Sequence, residues 1–210
     1  MNAREKILSK IRSVQTKSSA PAISFHLAQH PRGPLPPVPP DLIACFKERA
    51  IKLSSDVLET NNRVDVPTLL ARYLHEKNLP VSGVCWPSLA GLPWSAAGLD
   101  MQSRPAKNSD LIGVTGAFCA IAETGTLMML SGPDTPATTS LLPETHVAVL
   151  DPRHIVATME DAWDLLRKEH RQPPRAVNFI SGPSRTADIE QTVTLGAHGP
   201  YRVLLILAPL

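Results

Sequence analysis

The chain is predicted to form an α/β domain, a mixed or mainly parallel sheet covered by helices, over residues 41–210. An N-terminal helix and a proline-rich arm precede it over residues 1–40. Two observations predict this. Apolar runs of strand length alternate with segments of helical periodicity through the second half, and strands that alternate with helices favour a parallel or mixed sheet. A chain of 210 residues is also long enough for one well-buried domain plus an arm.

Asn2 followed by Glu5 resembles a capping box, and Ile7, Leu8, Ile11 and Val14 then fall on one helical face. That face must cover something, either its own domain or a neighbouring chain. Seven of the 21 prolines lie between Gln15 and Pro40, and the run Pro31 to Pro40 can form neither a helix nor a central strand, so an extended arm or linker is expected. His26 and His30 stand four apart and could meet a metal on one helix face, but no third ligand is near them in the chain. Asp41 is placed to cap a helix carrying Leu42, Ile43, Phe46 and Ala50 on its apolar side. A short strand is expected at residues 56–59. A helix follows at residues 66–76, with Pro67 tolerated in its first turn and Leu69, Leu70, Tyr73 and Leu74 facing inward. Residues 79–85 have strand character. The loop at residues 86–94 contains Trp86 and Trp94, which either pack over a cleft or plug the edge of the core; the plug is the favoured reading.

A strand at residues 111–114 leads into Val114-Thr115-Gly116-Ala117, and then Ala120-Ile121-Ala122-Glu123-Thr124-Gly125-Thr126. Small residues here let backbone or ligand approach closely. Glu123 arrives among apolar residues, where an ionised carboxylate needs a partner, a setting that suits an acid, base or nucleophile as well as an idle turn residue. Strands at residues 126–131 and 146–151 flank a loop rich in proline and threonine. Ile155, Val156, Met159, Ala162, Trp163 and Leu166 trace one face of a helix ending near His170, with Pro173 and Pro174 as its stop. The last strand is expected at residues 203–208.

The stretch least like generic scaffold follows an apolar run at residues 176–180. It reads Ser181-Gly182-Pro183-Ser184-Arg185-Thr186-Ala187-Asp188-Ile189-Glu190, and Gly196-Ala197-His198-Gly199-Pro200 comes soon after. Strand, tight turn and helix are expected, with turn N–H groups and the helix dipole converging on an anion. Ser184, Arg185 and Thr186 would add hydroxyls and a guanidinium. Alternatively, Ser181 or Ser184 caps the helix, Gly182 and Pro183 turn the chain, and Arg185 lies in water. Asp188 would repel an anion at such a terminus, so it would hold Arg185 or a ligand hydroxyl instead. Neither the P-loop nor the dinucleotide glycine pattern is present. Glu123 and Arg185 both border expected strand ends, so one pocket is expected to hold them, with His198 as proton donor or hydrogen-bond partner.

A net charge of +2 gives no sign of a nucleic-acid or membrane surface. No apolar run is long enough for a membrane span, and the charged start is unlike a signal peptide, so the cytoplasm is expected. Cys45, Cys85 and Cys119 are far apart in sequence and lack C-x-x-C spacing, which argues against an iron–sulfur cluster or zinc site on this chain and for buried, reduced thiols.

Ala122-Glu123-Thr124-Gly125-Thr126, Ser140-Leu141-Leu142-Pro143, the Ser181–Glu190 stretch and Gly196-Ala197-His198-Gly199-Pro200 resemble, in order and spacing, the LUD-domain family in its lactate-utilization protein C branch. The resemblance covers residues 41–210, and the long stretch from Ser181 is its most specific part. It implies a fold like the NagB/RpiA/CoA-transferase group and a part in oxidising L-lactate to pyruvate. It also implies two partners, one a Cys-rich protein and one an iron–sulfur protein, which would carry the clusters. It names no cofactor for this chain and assigns no residue roles. The expected site therefore rests on the residues themselves: Glu123 and His198 for chemistry, and Thr124, Gly125, Thr126, Ser181, Gly182, Ser184, Arg185, Thr186 and Asp188 for a small carboxylate or phosphate. The alternatives are an independent enzyme of acyl or phosphoryl-sugar chemistry using Glu123, or a purely structural subunit.

Overall fold

The computed structural model describes residues 2–14, 37–170, 172–186, 194–196 and 198–209. The expected arm over residues 15–36, with His26 and His30, lies outside them, as do Ala197 and residues 187–193, including Asp188. The chain divides into two compact units, Met1–Pro37 and Val38–Leu210. In the first, helix α1 (Ala3–Val14) begins with the expected reciprocal cap: Glu5 N–H donates to Asn2 Oδ1 at 2.9 Å and Asn2 N–H to Glu5 Oε2 at 3.1 Å. Ile7, Ile11 and Val14 on this helix are exposed.

The second unit starts at helix α2 (Leu42–Lys52), where Asp41 accepts from Ala44 N–H and Phe46 and Ala50 are fully buried. After β1 (Asp56–Glu59), helix α3 (Val66–Glu76) buries Leu70, Tyr73 and Leu74. It ends in a Schellman turn: Asn78 takes φ +52°, its N–H donates to His75 O, and Leu79 N–H donates to Leu74 O. Leu79 is thereby used by the helix, and Pro80 follows it. Strand β2 accordingly spans Ser82–Cys85, shorter than the expected residues 79–85.

Strands β3 (Asp100–Ser103) and β4 (Ile112–Gly116) come next, followed by the short pair β5 (Cys119–Ile121) and β6 (Thr126–Leu130). One turn of helix, α4 (Thr138–Leu141), precedes β7 (Thr145–Leu150). Ile155 and Val156 form strand β8 (Ile155–Val156) and not the start of a helix as expected, because they pair in parallel with Ala120 and Ile121. Helix α5 (Met159–Glu169) begins only after Thr158, whose side chain caps it in a box with Asp161. The chain then forms β9 (Val177–Ile180), a two-stranded arm of β10 (Arg185–Thr186) and β11 (Thr194–Leu195), and finally β12 (Arg202–Leu207).

The main sheet has six strands in the order β1-β12-β7-β4-β2-β3, and every pairing in it is parallel. A second, mixed sheet has the order β8-β5-β6-β9. Alternation of side chains along the strands assigns the cores. Val147, Val149, Leu204 and Ile206 face α3, together with Trp94 and Leu99. Ala148, Leu150, Val203, Leu205 and Leu207 face the opposite way, onto Phe46 and Ala50 of α2 and onto Ala120, Leu127 and Met129 of the second sheet. Cys119, Ile121 and Met128 point out of that sheet's far face, where Ala162 and Leu166 of α5 cover them. Helix, parallel sheet, second sheet with α2, and α5 thus stack around three apolar layers. Trp94 plugs the first, its indole N–H donating to Leu89 O at 2.9 Å.

Candidate functional site

The turn after β5 and the turn after β9 meet. Thr126 Oγ1 and Ser181 Oγ lie 2.6 Å apart. Both turns rest on α2. Gly125 has φ +65°, and a Cβ there would lie 2.5 Å from Ala50 N; Gly182 has φ +76°, and a Cβ there would lie 2.2 Å from Leu53 O. Only glycine meets both demands, left-handed backbone and contact with a helix backbone. Arg185 extends the contact, its guanidinium donating to Ser54 Oγ at 2.5 Å and to Leu53 O at 3.4 Å, a cation at the carbonyl end of α2.

Glu123 points elsewhere. Its Oε1 accepts from Met159 N–H at 2.9 Å, the first amide of α5, where a carboxylate offsets unpaired donors and the helix dipole. The partner that its apolar surroundings require is thus a helix terminus. Glu123 and Arg185 bond to different helices, and among the described residues no hydrogen bond or ion pair joins the two. The expected helix after Pro183 is also corrected: Arg185 and Thr186 form a strand paired with Leu195 and Thr194. No helix N-terminus faces the turn at those residues, so the anion argument based on its dipole falls away there. Thr124 is exposed, and Thr186 is half-buried.

The Ser181 turn does meet the Gly196–Pro200 segment. Ser184 N–H donates to Pro200 O, Gly196 N–H donates to Ser184 O, and a Cβ on Gly199 would stand 3.3 Å from Ser184 Cβ. Between these segments and α4 lies a groove of about 280 Å³ lined by Ser140, Ser181, Gly182, Ser184 and His198, with Phe179 and Leu141 at its apolar side. Of the residues singled out from sequence, Ser181, Gly182, Ser184 and His198 therefore share one groove. Thr126 braces it from below.

A larger cavity, about 570 Å³, opens beyond the carboxyl ends of β2, β4 and β7. From β2 the chain continues to its neighbour β3 on one side, and from β4 it continues to β7 on the other, so the cavity lies where strand order reverses. Trp86 and Ser88 follow β2, Gly116 and Phe118 end and follow β4, and Asp151 follows β7. Trp86 is held by an indole N–H bond to Pro136 O at 3.3 Å, and Phe118 meets the ring of His170 edge-on at 5.7 Å. Arg63 donates to Ser88 O at 3.0 Å, and buried Asp151 is paired with Arg153 at 2.5 Å. None of these was singled out as a site residue from sequence. Gly116 and Trp86 were noted only as small-residue and loop features; the signal that finds them is their position one step past a parallel strand.

Next to this crevice Thr115 Oγ1 and His146 Nε2 lie 2.8 Å apart on neighbouring strands, both fully buried. Desolvation lowers the His146 pKa to about 4, so the ring is neutral at neutral pH, and its Nδ1 has no partner among the described residues. Burial pushes the Cys119 thiol up to about 12, with the charge of Glu169 adding to it, and burial also raises Cys85. Both thiols are therefore poor nucleophiles and poor metal ligands.

A family model described as the LUD domain matches residues 92–208. The chain is 28% identical over 189 residues to the lactate utilization protein C of Bacillus subtilis (strain 168), covering 80% of this chain and 78% of that protein. It is 32% identical over 178 residues to the lactate utilization protein C of an Exiguobacterium species, covering 80% of this chain and 77% of that one. The crystal structure of a DUF162 family protein from Deinococcus radiodurans matches with a TM-score of 0.60 at 23% identity, over 80% of this chain and 96% of that chain, which bears on the fold alone. With the family model spanning more than half of its length, the chain belongs to the LUD domain family.

Proposed function

We propose that this chain serves lactate utilization as the cluster-free subunit of a cytoplasmic assembly that oxidises L-lactate to pyruvate. The observation that carries this reading is the likeness, over 80% of the chain, to proteins named lactate utilization protein C. The oxidation removes two protons and two electrons from the lactate C–H and O–H bonds. The electrons pass to iron–sulfur centres on two partners, one Cys-rich and one iron–sulfur-binding. The dispersal of Cys45, Cys85 and Cys119 over three separate apolar layers supports a cluster-free role, since no two of them approach a common centre.

The small-anion pocket of this reading is the groove of Ser181, Gly182, Ser184 and His198. Its hydroxyls and imidazole suit the carboxylate of lactate or a phosphate. Arg185, Thr186 and Asp188 follow it in the chain, and Arg185 adds positive charge beside it. Thr126 acts by bracing the Ser181 turn, Gly125 by seating its own turn on α2, and Glu123 by fixing the start of α5. A deletion strain grown on L-lactate as sole carbon source tests the role. Growth should fail and return with the wild-type chain, while Ser184→Ala combined with His198→Ala should restore it poorly. Unimpaired growth of the deletion strain overturns the role, and full rescue by the double variant overturns the pocket.

A further inference from the structure

We infer that the cavity beyond β2, β4 and β7 is a second ligand site, which takes a flat aromatic ring joined to an acidic group. Its size makes the first distinction. Sites of several hundred Å³ enclose ligands far larger than a three-carbon acid, and at about 570 Å³ this cavity has about twice the volume of the groove at Ser181.

The walls make the second. Trp86 and Phe118 present ring surfaces that are already fixed, one by the bond to Pro136 O and the other by the edge-on contact with His170. Leu89, Ala117 and Val149 complete an apolar lining. Preset aromatic walls favour stacking on a planar ring without a cost in side-chain ordering. Arg63 supplies the charge. It is tethered through one N–H to Ser88 O, and its other guanidinium N–H groups have no acceptor among the described residues. Asp151 does not oppose an anion, because Arg153 compensates its carboxylate.

Gly116 makes the third distinction. A Cβ at Gly113, Gly125 or Gly182 would strike backbone at 2.1 Å, 2.5 Å and 2.2 Å, so packing alone demands glycine there. A Cβ at Gly116 would meet nothing closer than the Trp86 ring at 3.8 Å, and its φ is an ordinary one. Neither backbone conformation nor packing requires glycine at this position; what its missing side chain provides is free space against Trp86. The space lies at the reversal of strand order, where open parallel sheets collect ligands.

Titration of the full chain with four probes tests the assignment: FMN and AMP, each a ring with a phosphate; riboflavin, a ring without one; and inorganic phosphate. FMN or AMP should bind saturably at one site, with quenching of tryptophan fluorescence, and phosphate should not displace it. Gly116→Val should weaken that binding by about tenfold or more with an unchanged melting temperature, since the added methyls fill the space beside Trp86. Arg63→Gln should weaken FMN by about tenfold and leave riboflavin unchanged, a difference that stands whatever Gly116→Val does to folding. The inference is overturned if neither FMN nor AMP binds, if phosphate displaces them, or if a well-folded Gly116→Val binds as wild type does. L-Lactate and phosphate binding at Ser184 and His198 should not respond to Gly116→Val, so this test and that of the anion groove fail separately.

Discussion

Thr126 and Ser181, 55 positions apart in the chain, share a hydroxyl–hydroxyl hydrogen bond of 2.6 Å, and through it two turns close on one helix. The bond is half-buried: Thr126 is only 3% exposed, while Ser181 is exposed. Either hydroxyl left alone loses its partner within the protein. Thr126→Val and Ser181→Ala should each cost about 1 kcal/mol in urea denaturation, and the double variant about as much as one of them. Strict additivity would show that the bond does not couple the turns.

The glycines provide a graded series. Gly125→Ala and Gly182→Ala combine a left-handed backbone with collision against α2 and should each cost about 3 kcal/mol or more. Gly116→Ala should change stability by less than about 0.5 kcal/mol. Equal losses at all three positions would contradict the assignment of Gly116 to open space.

His146 makes stability depend on pH. Its folded pKa, about 4, lies below its ordinary value of 6.5, so the unfolded chain binds the proton more readily. The contribution is complete above about pH 6.5 and is lost as pH falls towards 4, amounting to about 3 kcal/mol across that window. His146→Gln should flatten the slope between those values in pH-dependent chemical denaturation. An unchanged slope in the variant would assign the effect to other groups.

Arg185 is exposed, and its bonds to Ser54 and Leu53 should add little to stability. Arg185→Ala should therefore cost less than about 1 kcal/mol of folding while weakening phosphate or lactate binding by about 1.5 to 3 kcal/mol, measured by calorimetry. Unchanged anion affinity would confine Arg185 to the end of α2.

Much of the fold was legible because local chemistry and tertiary structure agree. Asp41, the Asn2 and Glu5 pair, and the faces of α2 and α3 are where periodicity and capping put them, except that Ile43, expected on the apolar side of α2, is 37% exposed. Ile155 and Val156 misled, since a β-branched pair also fits the helical stripe of α5; only their partners Ala120 and Ile121 reveal the strand. The meeting of the Ser181 and Gly196–Pro200 segments was legible, and so was that of the two turns. The direction of Glu123 was not. A carboxylate among apolar residues announces that it has a partner, but Met159 N–H lies 36 positions away and carries no side-chain signal. The large cavity was hidden for the same reason: its walls come from six separate segments, and strand order exists only in the folded chain.

The account turns on whether this chain is an indispensable, cluster-free member of a lactate-oxidising assembly. Anaerobic reconstitution with the Cys-rich and iron–sulfur partners, following L-lactate-dependent reduction of an artificial electron acceptor while iron is quantified on each purified chain, decides it. The expected result is acceptor reduction with pyruvate formed only when this chain is present, and no stoichiometric iron on the chain by itself. Full activity from the partners alone, or a stoichiometric cluster on this chain, would contradict it.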